Sequence, residues 1–337
     1  MGKNITIGEI ARLSGVSKTT VSRVLSGKTN LVKEETLEVI SKVIKEQNYK
    51  PSIIARSLRT KKTRLIGLII ADIENPFYSR VAKGVLDEAD NLNYTVIISN
   101  SNYSISLEKK LLDTFINRQV EGLLLTTMNL NESNLQALKR AGIPFILIDT
   151  KTSIKDVNYI TNDNYYGGKL AAEYFIRRGH KNIGYLGCDK LNSLEERQLG
   201  FKKALQQSKI YSENEVKLRE ITNINNIFDD VAFLIKDRKI TAFFAGNDYI
   251  AIQVLNFVTN ELKLRVPEDF SLIGYDNISM SAAAKVPLTT IMQPKYSMGK
   301  IALEQLMQLI KNNHIDGTTK IVFKPELVER NSVRSLK

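Results

Sequence analysis

Cysteine is almost absent from this chain. Cys188 stands alone among 337 residues, which excludes an internal disulfide framework and fits a reducing cytoplasm. Beside Gly187 it reads as a small buried hydrophobe. Histidine is nearly as scarce: His180 and His314 are the only two. His180 sits in a helix-to-strand turn without a metal partner, so no metal and no cofactor is expected. No apolar run approaches the roughly 18 residues of a membrane span, and the N-terminus lacks the apolar stretch of a secretory signal. The expected location is therefore cytoplasmic. Gly167-Gly168 lacks the spacing of a dinucleotide or phosphate-binding fingerprint. No nucleophile, base and orienting group assemble from motif, so an enzyme is not expected.

Acid is scarce at one end only. Residues 1–64 hold 14 Lys/Arg against 5 Asp/Glu, a net of +9, whereas the other 273 residues carry +3 of the chain's +12. Basicity concentrated in the first fifth suits a phosphate-facing module beside a near-neutral one. Apolar content of 43% with 25% charged residues describes a soluble protein with a real core. The length suggests roughly two to three units.

The basic end carries a helix-turn-helix pattern. Thr6 can cap a first helix, with Glu9 three residues on to complete a capping box. Ala11 is small where two helices would cross. Gly15 stands where a short turn needs a positive φ. Ser17 then caps a second helix whose Val21 and Val24 recur at helical spacing, leaving a face of Lys18, Thr19, Ser22 and Arg23. This module is expected to read DNA. A third helix is expected over 33–47, acidic early and basic late, as its dipole favours. Pro51 and Ser52 break it and open a short helical stretch, Ile53 to Arg59, too short to be stable alone. It reads as a hinge that orders only on a partner.

From Leu65 the pattern changes to continuous apolar runs separated by amphipathic stretches. Strands are expected at 65–71, 95–99, 122–126, 145–149, 183–187, 242–245, 270–275 and 289–292. Helices are expected at 77–92, 107–117, 165–178, 199–208 and 250–262. Such alternation indicates βαβ units and parallel sheets covered on both faces. The strands are too many for one comfortable sheet, so two α/β lobes are expected, with the ligand site in the cleft between them.

The ordered set of parts resembles the LacI/GalR family of bacterial transcription regulators, essentially end to end. Its carriers begin with Ile10-Ala11, Val16-Ser17, Thr20-Val21-Ser22-Arg23-Val24-Leu25, Tyr49-Lys50-Pro51, Ala55-Arg56-Ser57-Leu58 and Asn75-Pro76-Phe77-Tyr78. They continue with Gly142-Ile143-Pro144, Gly179-His180-Lys181-Asn182-Ile183, Arg197-Gln198-Leu199-Gly200-Phe201, Gly246-Asn247-Asp248, Gly274-Tyr275-Asp276-Asn277 and Leu288-Thr289-Thr290-Ile291. The resemblance implies an all-α helix-turn-helix head plus an α/β periplasmic-binding-protein-like core of two lobes with parallel sheets. The expected divisions are a DNA-binding head at 1–50, a hinge and linker at 51–64, and an effector-binding and dimerisation core at 65–337. Three crossovers join the lobes, with the N-lobe near 65–161 and 292–322 and the C-lobe near 162–291 and 323–337. Homodimers or higher homo-oligomers would hold two heads on a pseudo-palindromic operator.

On geometry and resemblance together, Lys18, Thr19 and Arg23 are the expected readers of base edges in the major groove. Thr6, Ser17, Thr20 and Ser22 are short hydroxyl donors suited to phosphates. Leu58 is a large apolar side chain among Arg56, Ser57 and Arg59. The family's matching leucine wedges into the minor groove, with Ala55 beside it.

Sugar binding needs an apolar face opposed to planar polar groups. Strand carboxyl ends, where open α/β sheets place ligands, carry Asn75, Phe77, Tyr78, Asp149, Asn247 and Asp276. Resemblance to ribose-type binding proteins of the same fold carries over the set Asn75, Phe77, Tyr78, Asp149, Arg197, Asn247, Asp276 and Gln293. Thr150 departs from it, since those proteins usually have arginine there. Arg197 and Ser193 could serve a hydroxyl or a carboxylate.

The function these features imply is a sequence-specific repressor of a carbohydrate-utilisation operon, released by a sugar or sugar-acid effector. One alternative is a regulator whose DNA binding is strengthened by a co-repressor or a protein partner. Another, of a different class, is a cytoplasmic sugar-binding protein or enzyme with a basic accessory head.

Overall fold

A computed structural model describes residues 5–49, 62–127, 132–152, 154–187, 192–209, 215–217, 228–312 and 318–337. The expected hinge, with Ala55 and Leu58, lies outside the described residues, as do Cys188 and His314. The chain divides into two units, Met1–Arg64 and Leu65–Lys337.

In the head, α1 (Ile7–Leu13), α2 (Lys18–Leu25) and α3 (Glu34–Glu46) surround a small core of Ile10, Ala11, Val21 and Ile40. Thr6 Oγ1 accepts from Glu9 N at 3.3 Å, and Ser17 Oγ accepts from Thr20 N at 3.1 Å. These caps satisfy amides that a helix start leaves open. Gly15 turns the chain between the two helices with φ +65°, where a side chain would be strained. Glu34 and Glu35 begin α3 and Lys45 ends it, as its dipole favours.

The larger unit holds two six-stranded sheets. Its elements in order are β1 (Leu65–Ile70), α4 (Pro76–Asn91), β2 (Thr95–Asn100), α5 (Ile105–Asn117), β3 (Gly122–Leu125), α6 (Glu132–Ala141), β4 (Phe145–Ile148) and β5 (Tyr159–Asn162). There follow α7 (Asn164–Arg177), β6 (Ile183–Gly187), α8 (Asn192–Gln207), β7 (Glu215–Lys217), α9 (Phe228–Lys236), β8 (Ala242–Ala245) and α10 (Asp248–Asn260). The chain closes with β9 (Ser271–Asp276), α11 (Ser279–Ala283), β10 (Thr289–Met292), α12 (Lys295–Asn312), β11 (Lys320–Phe323) and β12 (Glu326–Val328).

The first sheet runs β11-β5-β4-β3-β1-β2, parallel throughout. The second runs β12-β10-β9-β8-β6-β7, with only β12 antiparallel to its neighbour. The chain passes between the sheets after Asn162, after Met292 and after Phe323. Each sheet carries apolar clusters on both faces, as its Ile- and Leu-rich strands require.

All eight expected strands form, but β5, β7, β11 and β12 add to them. Three or four residues long, these carry too little periodicity to be read. Helix α8 begins at Asn192 rather than near 199, because Arg197 stands on its buried face beside Leu194 and interrupts the apolar pattern. Helices α7 and α8 cross so closely that a Cβ on Gly168 would fall 1.9 Å from Arg197 O. That contact fixes where Arg197 starts. Among the described residues, no helix is long and apolar enough to cross a membrane.

Candidate functional site

On the head, α2 has no acid in its first turn, and Lys18, Thr19 and Arg23 are all exposed. Thr6 and Ser17 are exposed as well, while Thr20 and Ser22 are half-buried. Ser17 and Thr20 share a hydroxyl–hydroxyl hydrogen bond of 2.9 Å, which orders two of the expected phosphate donors. Glu9 is engaged by Arg12 at 2.7 Å. An exposed guanidinium on a helix that fits the major groove can donate twice to a guanine edge. Arg23→Ala should therefore weaken operator binding by about 1–3 kcal/mol and relax preference at one base position. Binding to a panel of single-base operator variants checks this; an unchanged preference at every position would remove Arg23 from the readers.

In the core, three segments far apart in sequence converge at the sheet ends. Asp149 follows β4 in a left-handed conformation, φ +58°. Asp276 ends β9, and Arg197 comes from α8. Arg197 and Asp276 are each 3% exposed, and Arg197 Nη1 lies 3.8 Å from Asp276 Oδ1. Arg197 also donates Nε to Asn164 Oδ1 at 2.9 Å and Nη1 to Gly246 O at 2.7 Å, with its guanidinium 3.7 Å from the Tyr275 ring centroid. Gln293 Nε2 donates to Asp276 Oδ1 at 2.5 Å and accepts from Asn162 Nδ2, so the crossover strands join the same network. Among the described residues, Asp149 Oδ1 and the Tyr275 hydroxyl are buried with no hydrogen-bond partner.

Tyr78, Thr126, Thr127, Ile148, Asp149, Thr150, Asn192 and Ser193 line a cavity of about 10 Å³, room for about one water. A wider pocket of about 400 Å³ lies beside it along Lys151, Thr152, Asn192, Glu195, Glu196 and Leu199. Lys151 Nζ meets Glu196 Oε1 there at 3.3 Å. The smaller cavity is too small for a sugar, whereas the wider pocket has room for one.

Burial dominates the electrostatics. It pushes Asp149 up to about 7, against Arg197 and helped by Asp276 and Glu196. Asp248 is likewise pushed up to about 7 by burial, although Thr290 and the Ile278 amide donate to it. Asp276 is raised by burial too, with Arg197 and Lys295 opposing. Three carboxylates thus share two cations, and each prefers its proton more than it would in water.

Asp149 takes its proton near 3.8 when unfolded and near 7 when folded, so the fold binds the proton more tightly. Its stabilising contribution is full below the unfolded value and is lost as pH rises to about 7. Asp149→Asn should therefore gain melting temperature over the wild type as pH climbs through that window, then hold the gain above it. Taking the difference cancels the titration of Asp248, which both chains share and which does not act on Asp149. A difference independent of pH would place this carboxyl at its ordinary value.

The structure brings together Tyr78, Asp149, Arg197, Asp276 and Gln293. Asn75 and Asn247 are 7% exposed and cap α4 and α10, accepting from Phe77 N and Ile250 N. Asn247 adjoins the Gly246 carbonyl held by Arg197. Phe77 is 2% exposed within the apolar core and stands edge-on to Tyr78 at 5.1 Å. It supports the wall and does not line the cavity. Sequence reasoning missed Asn162, Asn164, Asp248 and Lys295, as well as the threonines Thr126 and Thr127. Thr150, the departure from the ribose-type pattern, donates its Oγ1 to Thr127 O at 2.7 Å.

Comparison with known proteins bears on both units. A model for "Bacterial regulatory proteins, lacI family" matches residues 6–52, and one for "Periplasmic binding protein-like domain" matches residues 172–333. The HTH-type transcriptional repressor PurR of Vibrio atlanticus is 36% identical over 342 residues, covering 98% of this chain and 99% of that protein. The lac repressor dimer bound to operator and the anti-inducer ONPF superposes with a TM-score of 0.84 at 25% identity, covering 99% of this chain and 100% of that one. A LacI family regulator from Enterococcus faecium with bound ribose gives a TM-score of 0.73 at 29% identity, covering 81% and 100%. These relatives regulate transcription and are not enzymes. With both units matched and a repressor 36% identical along nearly the whole chain, this protein belongs to the lacI family and is a DNA-binding transcriptional repressor on a periplasmic-binding-protein-like core.

Proposed function

We propose that this repressor is controlled by a neutral, hydroxyl-rich small molecule, a sugar, held between the two lobes. The observation that carries the reading is the meeting of Asp149, Arg197 and Asp276 at one buried place, with Asp149 Oδ1 lacking a partner among the described residues. A sugar hydroxyl donates to such a carboxylate and accepts from such an arginine. Asn75, Phe77, Tyr78, Asn247 and Gln293 would complete or support the site. The ribose held by the Enterococcus faecium regulator agrees with this class. A sugar acid fits less well, because Arg197 and Lys295 already face three carboxylates and Lys151 in the wider pocket is paired with Glu196.

Two chains would act together on a pseudo-palindromic operator. Lys18, Thr19 and Arg23 would read bases, while Thr6, Ser17, Thr20 and Ser22 would hold phosphates. Ligand binding then needs a coupling of about 1–3 kcal/mol to operator binding to work as a switch. In the leading reading the sugar releases the DNA. A second reading, in which the ligand strengthens binding, is favoured by the lac repressor structure that holds ONPF and operator together.

The test is a titration of purified protein against a duplex selected by it from a random pool. The panel is D-ribose, cellobiose, galactosides, gluconate and purine bases. Weaker operator binding with a sugar supports release, and stronger binding supports the second reading. A response to gluconate or a purine alone overturns the sugar assignment, as does no response at all.

A further inference from the structure

The residue that the proposed function leaves unexplained is Lys295. It is the first residue of α12, where the helix dipole disfavours a cation, and it is only 8% exposed. A buried ammonium needs partners, and this one takes backbone carbonyls from the other lobe. Its Nζ donates to Asp276 O and, at 3.1 Å, to Asn277 O. Helix α12 packs against α4 of the first lobe and sends Met298, Ala302, Leu303, Leu306 and Met307 into that lobe's core. Asp276 and Asn277 close β9 of the second sheet.

The turn that Lys295 holds is itself strained. Asp276 has φ +109° and Asn277 has φ +51°, two successive non-glycine residues on the left-handed side of the map. That backbone aims the Asp276 carboxylate at Arg197 and Gln293. Asp248 lies beneath, accepting from Thr290 Oγ1 at 2.6 Å and from Ile278 N at 2.9 Å; burial pulls the Lys295 ammonium's pKa down, with Asp276 and then Asp248 opposing. Arg330 holds the Asn277 side chain from outside at 2.6 Å.

We propose that Lys295 is a positioning residue that clamps the left-handed Asp276–Asn277 turn across the lobe crossover, so that the aim of the Asp276 carboxylate depends on how the lobes are set. The clamp rests on the reading of Asp276 as an effector acceptor only for its consequence: a ligand on Asp276 and the position of α12 are then one event. Parting the lobes pulls the ammonium from the carbonyls and frees the turn to relax.

The experiment is residue-level amide exchange on the full chain without ligand, read at the Ile278 amide. Lys295→Met should speed exchange there by about tenfold, while the amides of α3 and β6 keep their wild-type rates. Lys295→Arg, which retains donors, should restore most of the protection. Asn277→Gly in the Lys295→Met background should also restore it, because glycine takes φ +51° without help. If Lys295→Met fails to fold, the double variant should fold. Unchanged exchange at Ile278, or a double variant no better than the single one, overturns the clamp. The readout needs no effector, so failure of the sugar assignment and failure of the clamp are told apart.

Discussion

Arg197→Ala is expected to cost the core about 3–5 kcal/mol of stability, the range for removing one side of a buried ion pair. Alanine leaves Asp276 without its cation at 3.8 Å, Gly246 O without a donor at 2.7 Å and Asn164 Oδ1 without one at 2.9 Å. The Tyr275 ring loses a guanidinium at 3.7 Å. Each group stays buried, so water cannot replace what is lost. Urea unfolding followed by far-ultraviolet circular dichroism measures the cost. A loss below about 1 kcal/mol would mean that the site relaxes and water enters, contrary to the packing of α8 on α7. Any ligand response should vanish in the same variant.

The second large effect is on DNA. Two heads engaging about six to ten phosphates should lose about a thousandfold or more in operator affinity between about 50 and about 200 mM salt. The charge needed is concentrated where DNA would lie: the first 64 residues carry +9 of the chain's +12. Fluorescence anisotropy at several salt concentrations gives the slope. A nearly flat dependence would show that the basic end of the chain does not face phosphates.

The head was legible because a helix-turn-helix is written in short-range signals. Thr6, Gly15 and Ser17 are each one turn from the structure they create, and the structure shows each in that place. The central strands were legible for the same reason, being continuous apolar runs. β11 was not, because its residues alternate between exposed and half-buried at a sheet edge. The site was legible where a strand end carries a charge and where the resemblance supplied a residue, as it did for Gln293. Asp149 and Asp276 stand out because a charge at a strand end is costly unless used, whereas Arg197 was expected only through the resemblance. The threonines and asparagines around them are ordinary residues whose partners lie far off in sequence, such as Asn162 with Gln293. Phe77 and Tyr78 are adjacent and chemically alike, and only packing separates wall from support.

The measurement closest to the central claim is operator affinity in Asp276→Ala, taken with and without the sugar that shifts the wild type. On the proposed reading a ligand between the lobes controls the head through the groups that touch it, and Asp276 is, with Asp149, one of the two buried carboxylates proposed to do so. Its loss leaves ligand hydroxyls unpaired in a desolvated site, at about 1–3 kcal/mol. The account predicts wild-type operator binding without ligand and no shift with it. An Asp276→Ala protein that still responds with wild-type sensitivity would place the controlling site elsewhere.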